Sequence, residues 1–396
     1  MSGPSSVMSA RAIPTGSWWP PKLRLDPGRH AMVSSLSPVN FADLEAWYDH
    51  DHHAALLTFR RSCREMLEQG AGFRRPVRFG GSPSSWRSTC LRAFEAGNAR
   101  KFFENGFQAF LVHDEVRPEG LFTGYFEPEV DGSRIRSSQF RVPLYRRPKD
   151  LVTFPGANAE LSELTYGRVV DGKPTLYFTR REIEEGALDG QGLEIVWLRD
   201  WADAYFIHIQ GSARIRLVEG GVLRLSYAAK SGHPYTGIGA LLVERGTLAA
   251  DAMSMQAIRL WMADHPQQAR ELMWENRSFV FFREVDLEDP GLGALGAQHV
   301  QLTPRRSLAI DRSLWMFGTP VWLETEAPTG AGNQVDLFRQ LLIAQDTGSA
   351  IRGLSRGDVY WGFGDEAAMI AGPMKSPGRM SVLLPHEVAK ELGLPA

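Results

Sequence analysis

Apolar residues recur at helical spacing in two segments of the first hundred residues. The first segment predicts a helix over Phe41–Gln69, with Asn40 as its N-cap and Gly70 as its C-terminal stop. Its apolar face consists of Leu56, Phe59, Cys63, Met66 and Leu67. A second helix is predicted directly after Ser85. Its apolar face consists of Trp86, Cys90 and Phe94, so both helices are expected to pack on a core.

From Gly120 onward the pattern changes to short β-type runs interrupted by glycine and proline. The first group of predicted strands is Leu121–Tyr125, Gln139–Tyr145, Leu193–Leu198, Tyr205–Ile209, Ala213–Val218 and Val222–Ala228. Two helices follow, one capped by Ser254 with Met255, Ile258 and Met262 facing inward, and one over Pro266–Met273. The later predicted strands are Phe279–Phe282, His299–Leu302, Ser307–Ile310, Pro320–Glu324, Val359–Trp361 and Met380–Leu384. Strands and helices do not alternate regularly, so the pattern favours a mainly β, α+β fold over a doubly wound nucleotide-binding fold.

Length and composition indicate the number of domains and argue against some classes of binding partner. A chain of 396 residues predicts two or three domains. Its 43% apolar and 23% charged residues are ordinary for a globular protein. The net charge of −2 provides no general attraction to nucleic acid or to an anionic membrane. No apolar run reaches the length of a membrane-spanning helix.

The first 35 residues and the two cysteines bear on the cellular compartment. Residues 1–35 are rich in Ser, Pro, Gly and Arg and are expected to be poorly ordered. They contain no apolar stretch of the kind found in a secretory signal. Cys63 and Cys90 either form one disulfide or remain two buried thiols, because the sequence does not reveal their separation.

Three aspartates are the best candidates for chemistry. Asp311, Asp346 and Asp358 each end or interrupt a short apolar stretch and are flanked by glycine or small residues. An acid in that setting can point into a pocket at a strand end while the backbone passes close to a ligand. Single aspartates are also common turn formers and helix caps, so the pattern alone leaves both interpretations open.

Other motifs were weighed and set aside. His50 and His53 lie on a solvated stretch without a nearby third metal ligand. Ser212 has a single pairing signal, His208, which would share its face on a strand. The run from Gly362 to Gly364 lacks the third glycine and the following helix of a dinucleotide-binding loop.

Several ordered motifs closely resemble the membrane-bound lytic murein transglycosylase A family. They are Phe122-Thr123-Gly124-Tyr125-Phe126-Glu127-Pro128, Pro143-Leu144-Tyr145-Arg146-Arg147-Pro148, His208-Ile209-Gln210-Gly211-Ser212, Gly232-His233-Pro234-Tyr235, Ser254-Met255-Gln256-Ala257-Ile258 and Asn276-Arg277-Ser278-Phe279-Val280-Phe281-Phe282. The C-terminal part resembles that family's three-aspartate domain through Asp311, Asp346 and Asp358, with Gly348 and Gly362-Phe363-Gly364. The resemblance covers roughly residues 110 to 385, with the motifs in order and with fitting gaps.

The resemblance implies a fold of two domains with a groove between them. A double-psi β-barrel would be assembled from a helical part at 36–132 and the three-aspartate part at 291–396. A smaller β domain at 133–290 would be inserted between these parts. The groove would bind a glycan strand of peptidoglycan, with Thr123, Tyr125, Gln210, Ser212, Gly362 and Gly364 as substrate-binding positions. Asp358 matches the catalytic acid, and Asp346 and Asp311 support it.

The implied reaction suits a single carboxyl group. A lytic transglycosylase cleaves the β-1,4 bond between N-acetylmuramic acid and N-acetylglucosamine without water, because the muramic 6-hydroxyl attacks its own anomeric carbon. Asp358 would protonate the leaving oxygen and then accept the hydroxyl proton, giving a 1,6-anhydromuramic end. Asp346 would act on Asp358 either as a like charge or through an orienting hydrogen bond. The alternatives are a catalytically silent glycan-binding module and a two-carboxylate hydrolase using both acids.

The resemblance also implies partners and a location. Peptidoglycan strands are the expected substrate and cell-wall enzyme complexes are candidate partners, with no nucleic acid, no cofactor and no metal. The family resemblance places the protein in the periplasm or at the outer membrane. This chain shows neither a signal peptide nor a cysteine near its start that could carry lipid, so membrane anchoring has no support from the sequence.

Overall fold

A computed structural model describes residues 35–68, 77–154, 165–250, 252–287, 289–330 and 334–395. The helices are α1 (His52–Glu68), α2 (Pro83–Glu95), α3 (Ala99–Gly106), α4 (Arg180–Glu182, continued by a π-helical turn over Ile183–Ala187), α5 (Trp201–Gln210), α6 (Ile238–Glu244), α7 (Met255–Asp264), α8 (Pro266–Glu275), α9 (Gly364–Ala371) and α10 (His386–Glu391). Two short 3-10 helices, Phe41–Asp43 and Trp47–Asp49, precede α1. The expectation of poor order for residues 1–35 lies, up to residue 34, outside the described residues.

The strands form the larger part of the architecture. The strands of the first half are β1 (Leu36–Val39), β2 (Phe107–Val112), β3 (Leu121–Glu127), β4 (Glu129–Ser133), β5 (Val142–Tyr145), β6 (Val152–Thr153), β7 (Tyr166–Val170), β8 (Lys173–Thr175) and β9 (Glu194–Leu198). The strands of the second half are β10 (Ser212–Leu217), β11 (Val222–Lys230), β12 (Val280–Glu284), β13 (Ser307–Ile310), β14 (Pro320–Pro328), β15 (Val335–Asp346), β16 (Arg356–Phe363), β17 (Lys375–Ser376) and β18 (Gly378–Pro385). This mixture of sheets and helices confirms the predicted α+β class.

Two large sheets organise the described residues. The larger has nine strands in the order β1-β2-β18-β14-β15-β13-β16-β3-β17, so it joins strands from both ends of the chain. The smaller has six strands in the order β12-β11-β10-β4-β9-β5, all from the middle of the chain. A short sheet, β6-β7-β8, accompanies them. The double-psi β-barrel and the division at residues 132 and 290 stay predictions.

Each large sheet has its own hydrophobic core. In the larger core, strands β14 and β15 pack with helices α1 and α2 through fully buried Phe59, Trp86 and Trp322. The smaller sheet buries its apolar face against α5, with Ile207 and Ile215 fully covered. Burying a large apolar side chain contributes about 1.5–3 kcal/mol, so residues of this kind supply much of the stability of each sheet.

The first helix begins later than the pattern predicts. The prediction of a helix from Phe41 is wrong, because Ala46 has a left-handed backbone (φ 61°) that interrupts the segment. Helix α1 starts at His52, where the Asp51 carboxylate accepts the Ala54 N–H at 3.1 Å. Asn40 instead donates from its side chain to Asp43.

The predicted core positions on these helices are mostly confirmed. Leu56, Phe59, Cys63 and Met66 are buried, whereas Phe94 at the end of the second face is 41% exposed. The sulfurs of Cys63 and Cys90 form a disulfide between α1 and α2, with Cα atoms 5.0 Å apart. This geometry decides between the two alternatives that the sequence left open.

Two predicted strands are wrong. Tyr205–Ile209 lies within helix α5, which Asp200 caps by accepting the Asp203 N–H and which ends at Gly211 with φ 79°. Residues 204–208 are consecutively buried, so this helix lacks the one-sided apolar pattern that would distinguish it from a strand. His299–Leu302 contributes a single bridge between Gln301 and Leu295.

In the part of the chain that the structure describes, no helix is both long and apolar enough to cross a bilayer.

Candidate active site

Asp358 lies in the middle of strand β16, between two neighbours of the larger sheet. Ala309 of β13 is its antiparallel partner and Thr123 of β3 is its parallel partner. Because side chains alternate along a strand, Arg356 and Tyr360 share the face of Asp358, while the intervening residues face the core. The acid therefore projects from a rigid strand beside the side chain of Thr123.

A buried arginine and a threonine hold the Asp358 carboxylate. Arg356 donates from Nη2 to Thr123 Oγ1 at 2.8 Å, and Thr123 Oγ1 donates to Asp358 Oδ1 at 2.6 Å. The guanidinium is itself fixed by donating to the carbonyls of Leu121 and Gly357. Arg356 is 7% exposed, so its guanidinium is shielded from bulk water. Thr123, which was predicted to contact the sugar, therefore forms a hydrogen bond to the Asp358 carboxylate.

Opposing effects act on the ionisation of Asp358. Burial raises the pKa of its carboxyl, while the positive charge of Arg356 and the hydrogen bond from Thr123 lower it. The net direction is upward. The side chain is nevertheless only half-buried, so protein surrounds the carboxyl without closing it off from a ligand.

Asp346 ends strand β15 and is held by three donors. Its Oδ1 accepts the backbone N–H groups of Ala297 and Thr347, both at 2.9 Å, and its Oδ2 accepts the Tyr125 hydroxyl at 2.8 Å. Burial raises the pKa of Asp346, these three hydrogen bonds lower it, and the charge of Asp358 raises it further. The net direction is upward, and both oxygens of Asp346 are engaged by the protein.

Asp311 has a different setting, since it joins two loops. Its Oδ1 accepts the N–H and the hydroxyl of Ser313, and its Oδ2 accepts the Gly353 N–H at 3.1 Å. Arg352 forms an ion pair with it at 3.7 Å. Asp311 is 4% exposed. The structure therefore gives this aspartate local partners in the loops that follow β13 and β15.

The remaining predicted positions serve mainly to shape the site. Gln210 ends α5 and accepts the Phe126 N–H with Oε1 at 3.2 Å, which connects the smaller sheet to strand β3. Ser212 begins strand β10. Ser212 and His208 do not share a strand face, because His208 lies in buried helix α5 beside Arg180, at 2.9 Å. Burial, followed by the Arg180 charge, lowers the pKa of His208 well below its usual value.

The glycines after β16 make a turn into a helix. Gly362 and Gly364 have φ angles of 116° and 74°, which side chains rarely adopt. Helix α9 begins at Gly364, so the expectation that no helix follows these glycines is wrong. Phe363 between them lies under the Arg214 guanidinium, with 3.2 Å from Cζ to the ring centre. These glycines thus have a conformational role in addition to any contact with a ligand.

A buried ion cluster joins the two large sheets beside the site. Glu127, fully buried at the end of β3, accepts from Arg214 of β10 at 3.0 Å and from Arg224 of β11 at 2.9 Å. Both arginines also donate to the carbonyl of Leu292. Burial raises the pKa of Glu127 and the two arginine charges oppose that rise. The cluster fixes the smaller sheet against the strand that carries Thr123 and Tyr125.

An open cavity of about 310 Å³ adjoins Thr123, between strand β3 and helices α5 and α7. Its walls come from β3, from α5 and from the start of α7, and are largely apolar, including Phe126, Phe206 and Met255. Gln210 and Lys375 contribute polar atoms. Apolar surfaces of this kind with few polar groups are typical of small-molecule and sugar sites.

The histidine cluster is a packing feature. His50 is half-buried rather than solvated, accepts the Leu341 N–H with Nε2 at 3.3 Å and packs against Trp322. Burial, with the nearby Arg306 charge, lowers the pKa of His50 to about 3. Among the residues with described coordinates, no group of three or more His, Cys, Asp or Glu is placed to hold a metal ion.

The sequence analysis did not predict two groups that contact the site, the side chain of Arg356 and the backbone N–H of Ala297. Arg356 stands two positions before Asp358, and that spacing on a strand signals a shared face. Nothing in the sequence indicates that Ala297, 49 residues away, would reach Asp346. A contact such as that of Ala297 with Asp346 depends on the tertiary path of the chain, which brings distant residues together.

Comparison with known proteins places these features in a family. Two family models match, the MltA specific insert domain over residues 121–283 and the 3D domain over residues 306–384. Membrane-bound lytic murein transglycosylase A of Vibrio cholerae is 34% identical over 290 residues, which are 72% of this chain and 71% of the relative. The 121–283 match contains Thr123 and Tyr125, and the 306–384 match contains all three aspartates.

Solved structures show the same similarity. The crystal structure of a membrane-bound lytic murein transglycosylase from Agrobacterium tumefaciens has a TM-score of 0.79 and 34% identity, covering 90% of this chain and 99% of that one. The crystal structure of Escherichia coli MltA with bound chitohexaose has a TM-score of 0.62 and 28% identity, covering 88% and 91%. Both similarities extend over nearly the whole of each chain.

Proposed function

The chain belongs to the membrane-bound lytic murein transglycosylase A family, and from this membership we propose that Asp358 is its single catalytic acid and base. The protein is thus a lytic murein transglycosylase, an enzyme that cleaves the glycan strands of peptidoglycan. The observation that carries the assignment of Asp358 is the setting of its carboxyl. Burial raises its pKa, while the half-buried side chain remains open to a ligand. A group of this kind can be protonated at the start of a reaction near neutral pH.

The reaction proceeds in two proton transfers. Asp358 gives its proton to the oxygen between N-acetylmuramic acid and N-acetylglucosamine as the bond from C1 to that oxygen breaks. The sugar passes through an oxocarbenium-like state. The Asp358 carboxylate then accepts the proton of the muramic 6-hydroxyl as O6 bonds to C1. The products are a 1,6-anhydromuramic end and a free N-acetylglucosamine end, and Asp358 is again protonated without consumption of water.

The chain from Arg356 to Thr123 positions this acid. The Thr123 hydroxyl can donate to Asp358 only in one orientation, since it accepts from Arg356 at the same time. The Arg356 charge also stabilises the carboxylate that forms after the first proton transfer. Arg356 and Thr123 are therefore positioning residues for Asp358.

Asp346 supports Asp358 as an oriented neighbour, whose own pKa is raised by burial and, to a smaller extent, by the Asp358 charge. Its three hydrogen bonds favour the carboxylate form and hold both oxygens, which leaves it poorly suited to attack a sugar or to activate water. This argues against a hydrolase that uses both acids. Asp311 joins the loops beside the site, and Tyr125 orients Asp346.

The groove for the glycan strand lies between the part at 133–290 and the parts at 36–132 and 291–396. The apolar cavity beside Thr123, with Gln210 at its wall, is consistent with a sugar site in this groove. Gln210 lines this cavity, and Ser212, Gly362 and Gly364 are proposed as further substrate-binding positions along the groove. This proposal agrees with the bound chitohexaose of the Escherichia coli relative.

The protein acts in the bacterial envelope, in the periplasm or at the outer membrane. The relatives from Vibrio cholerae and Escherichia coli are named membrane-bound, and the substrate of the family lies outside the cytoplasm. The disulfide between Cys63 and Cys90 agrees with an oxidising compartment.

The assignment of Asp358 is tested with Asp358→Asn and purified cell-wall sacculi. We expect release of anhydro-muropeptides to fall by a factor on the order of 10²–10⁴, because the variant lacks the acid and base. Mass spectrometry separates the outcomes, since hydrolysis would add one water to each product. Asp336→Asn, an exposed acid on the same strand as Asp346, is the matched control and should keep normal activity. Near-normal anhydro products from Asp358→Asn would refute the assignment.

A further inference from the structure

Three cationic side chains gather where the smaller sheet meets the loop after Asp346. Lys230 ends strand β11 and donates from Nζ to Ser349 Oγ at 3.2 Å, so the strand and the loop are in contact. Arg352 lies three residues further along the same loop, and Arg312 directly follows Asp311. Both arginines are exposed and Lys230 is half-buried. We call these three residues the cationic rim.

The fold holds the cationic rim in place. Asp311 accepts the Gly353 N–H at 3.1 Å, which ties the loop of Arg312 to the loop of Arg352. Its ion pair with Arg352 is long, at 3.7 Å, and leaves the Arg352 side chain 52% exposed. Asp311 is 4% exposed, so it supports the rim from within and leaves the outer face of the guanidinium accessible.

The positive charges of the cationic rim repel one another. Burial lowers the pKa of Lys230, and the charges of Arg352 and then Arg312 lower it further. No carboxylate among the described residues contributes an opposing effect on Lys230. A set of cations that repel one another in the free protein attracts an anion more strongly than isolated cations would.

The substrate of the proposed reaction differs from a neutral glycan because its peptide stems carry carboxylates. N-acetylglucosamine is uncharged, whereas muramic acid bears a lactyl group whose carboxyl is linked to a peptide stem. The stem carries free carboxylates, which pair well with lysine and arginine. A strand bound at Asp358 would direct stems outward, toward loops such as those that carry the rim.

We propose that Lys230, Arg312 and Arg352 form a subsite for the carboxylates of the peptide stem, so that stem-bearing strands bind more tightly than stripped ones. This inference rests on the proposed function, since it assumes that a muramic acid residue is bound at Asp358. It extends that function from the glycan backbone to the acidic peptides attached to it.

The test measures binding to the Asp358→Asn protein with and without Lys230→Gln and Arg352→Gln. Three ligands are compared by calorimetry: chitohexaose, glycan strands stripped of peptide by an amidase, and strands with intact stems. The stripped strands keep one lactyl carboxylate per muramic acid, so they separate that anion from those of the stem. Lys390→Gln, an exposed lysine on helix α10, is the matched control. Melting temperatures confirm that each variant is folded.

We expect each substitution to raise the Kd for stem-bearing strands about fivefold, which corresponds to about 1 kcal/mol. The increase should shrink in 0.5 M salt, and the Kd for chitohexaose should stay unchanged. An equal loss for chitohexaose would overturn the inference, because the residues would then serve the sugar groove. An equal loss for stripped strands would assign the site to the lactyl carboxylate and overturn its assignment to the stem. An unchanged Kd for all three ligands would also overturn it. Anhydro products in these samples would instead contradict the assignment of Asp358.

Discussion

Thr123→Val tests the hydrogen bond from Thr123 that orients the Asp358 carboxylate and lowers its pKa. The substitution removes the hydroxyl that joins Arg356 to Asp358 at 2.8 and 2.6 Å and keeps the shape of the side chain. A hydrogen bond to a charged group contributes about 1.5–3 kcal/mol. Since the bond from Thr123 favours the carboxylate form, its loss raises the pKa of Asp358.

The sign and size of the effect follow from the role of the acid. The reaction requires protonated Asp358, so kcat/KM falls as the pH rises through the pKa of the free enzyme. A higher pKa in Thr123→Val should move this alkaline limb to higher pH, by roughly one pH unit for about 1.4 kcal/mol. The carboxyl also loses its fixed orientation, so kcat at the optimum should fall on the order of 10–100-fold.

The assay is release of anhydro-muropeptides from sacculi across a range of pH. Thr123→Ser, which restores the hydroxyl, should recover both the rate and the position of the limb. Thr153→Val is the matched control, because the Thr153 hydroxyl accepts from Arg147 at 3.1 Å on the exposed strand β6. The positioning role would be refuted if the alkaline limb of the kcat/KM profile of Thr123→Val stayed in place or moved to lower pH.

Two further substitutions probe the support of the site and of the fold. Tyr125→Phe leaves Asp346 Oδ2 without its hydroxyl donor, so we expect the free energy of unfolding in urea to fall by about 1–3 kcal/mol, with a smaller loss of kcat than in Asp358→Asn. Unchanged stability and kcat would show that this hydrogen bond is dispensable. Cys63→Ser opens a disulfide with a sequence separation of 27, which predicts a loss of about 3.5 kcal/mol. Dithiothreitol should lower the melting temperature of the wild-type protein toward that of the variant and leave the variant itself unaffected.

The active-site strands were easier to predict than the helices around them. Strands β3 and β16 contain the short runs Leu121–Tyr125 and Val359–Trp361, bounded by Gly120 and Gly362, and both runs were predicted as strands. The longest strand, β15, was missed although it leads to Asp346. Helix α5 was taken for a strand because it is buried on several sides, which removes the periodic signal.

The sequence by itself determined the family and the α+β class, and it predicted Asp311, Asp346 and Asp358 as the candidate acids. Short-range chemistry is enough for these, because glycine turns, strand alternation and ordered motifs are local properties of the chain. It left open whether Asp346 acts on Asp358 through charge or through a hydrogen bond, and whether Cys63 and Cys90 are joined. It also interpreted Thr123 as a contact to sugar.

Only the tertiary structure shows that Cys63 and Cys90 are joined and which distant groups contact Asp346 and Asp358. The hydrogen bond from Thr123 to Asp358 spans 235 residues and that from Tyr125 to Asp346 spans 221, because β3 from the first part of the chain inserts beside β16 from the last. The Ala297 N–H on Asp346 arises from the same return of the chain. Protonation and orientation depend on burial and on such distant partners, and neither is encoded in the residues adjacent to an acid. The sequence therefore predicted Asp358 as the acid, and the packing of remote strands supplies the burial and the hydrogen bond that act on its carboxyl.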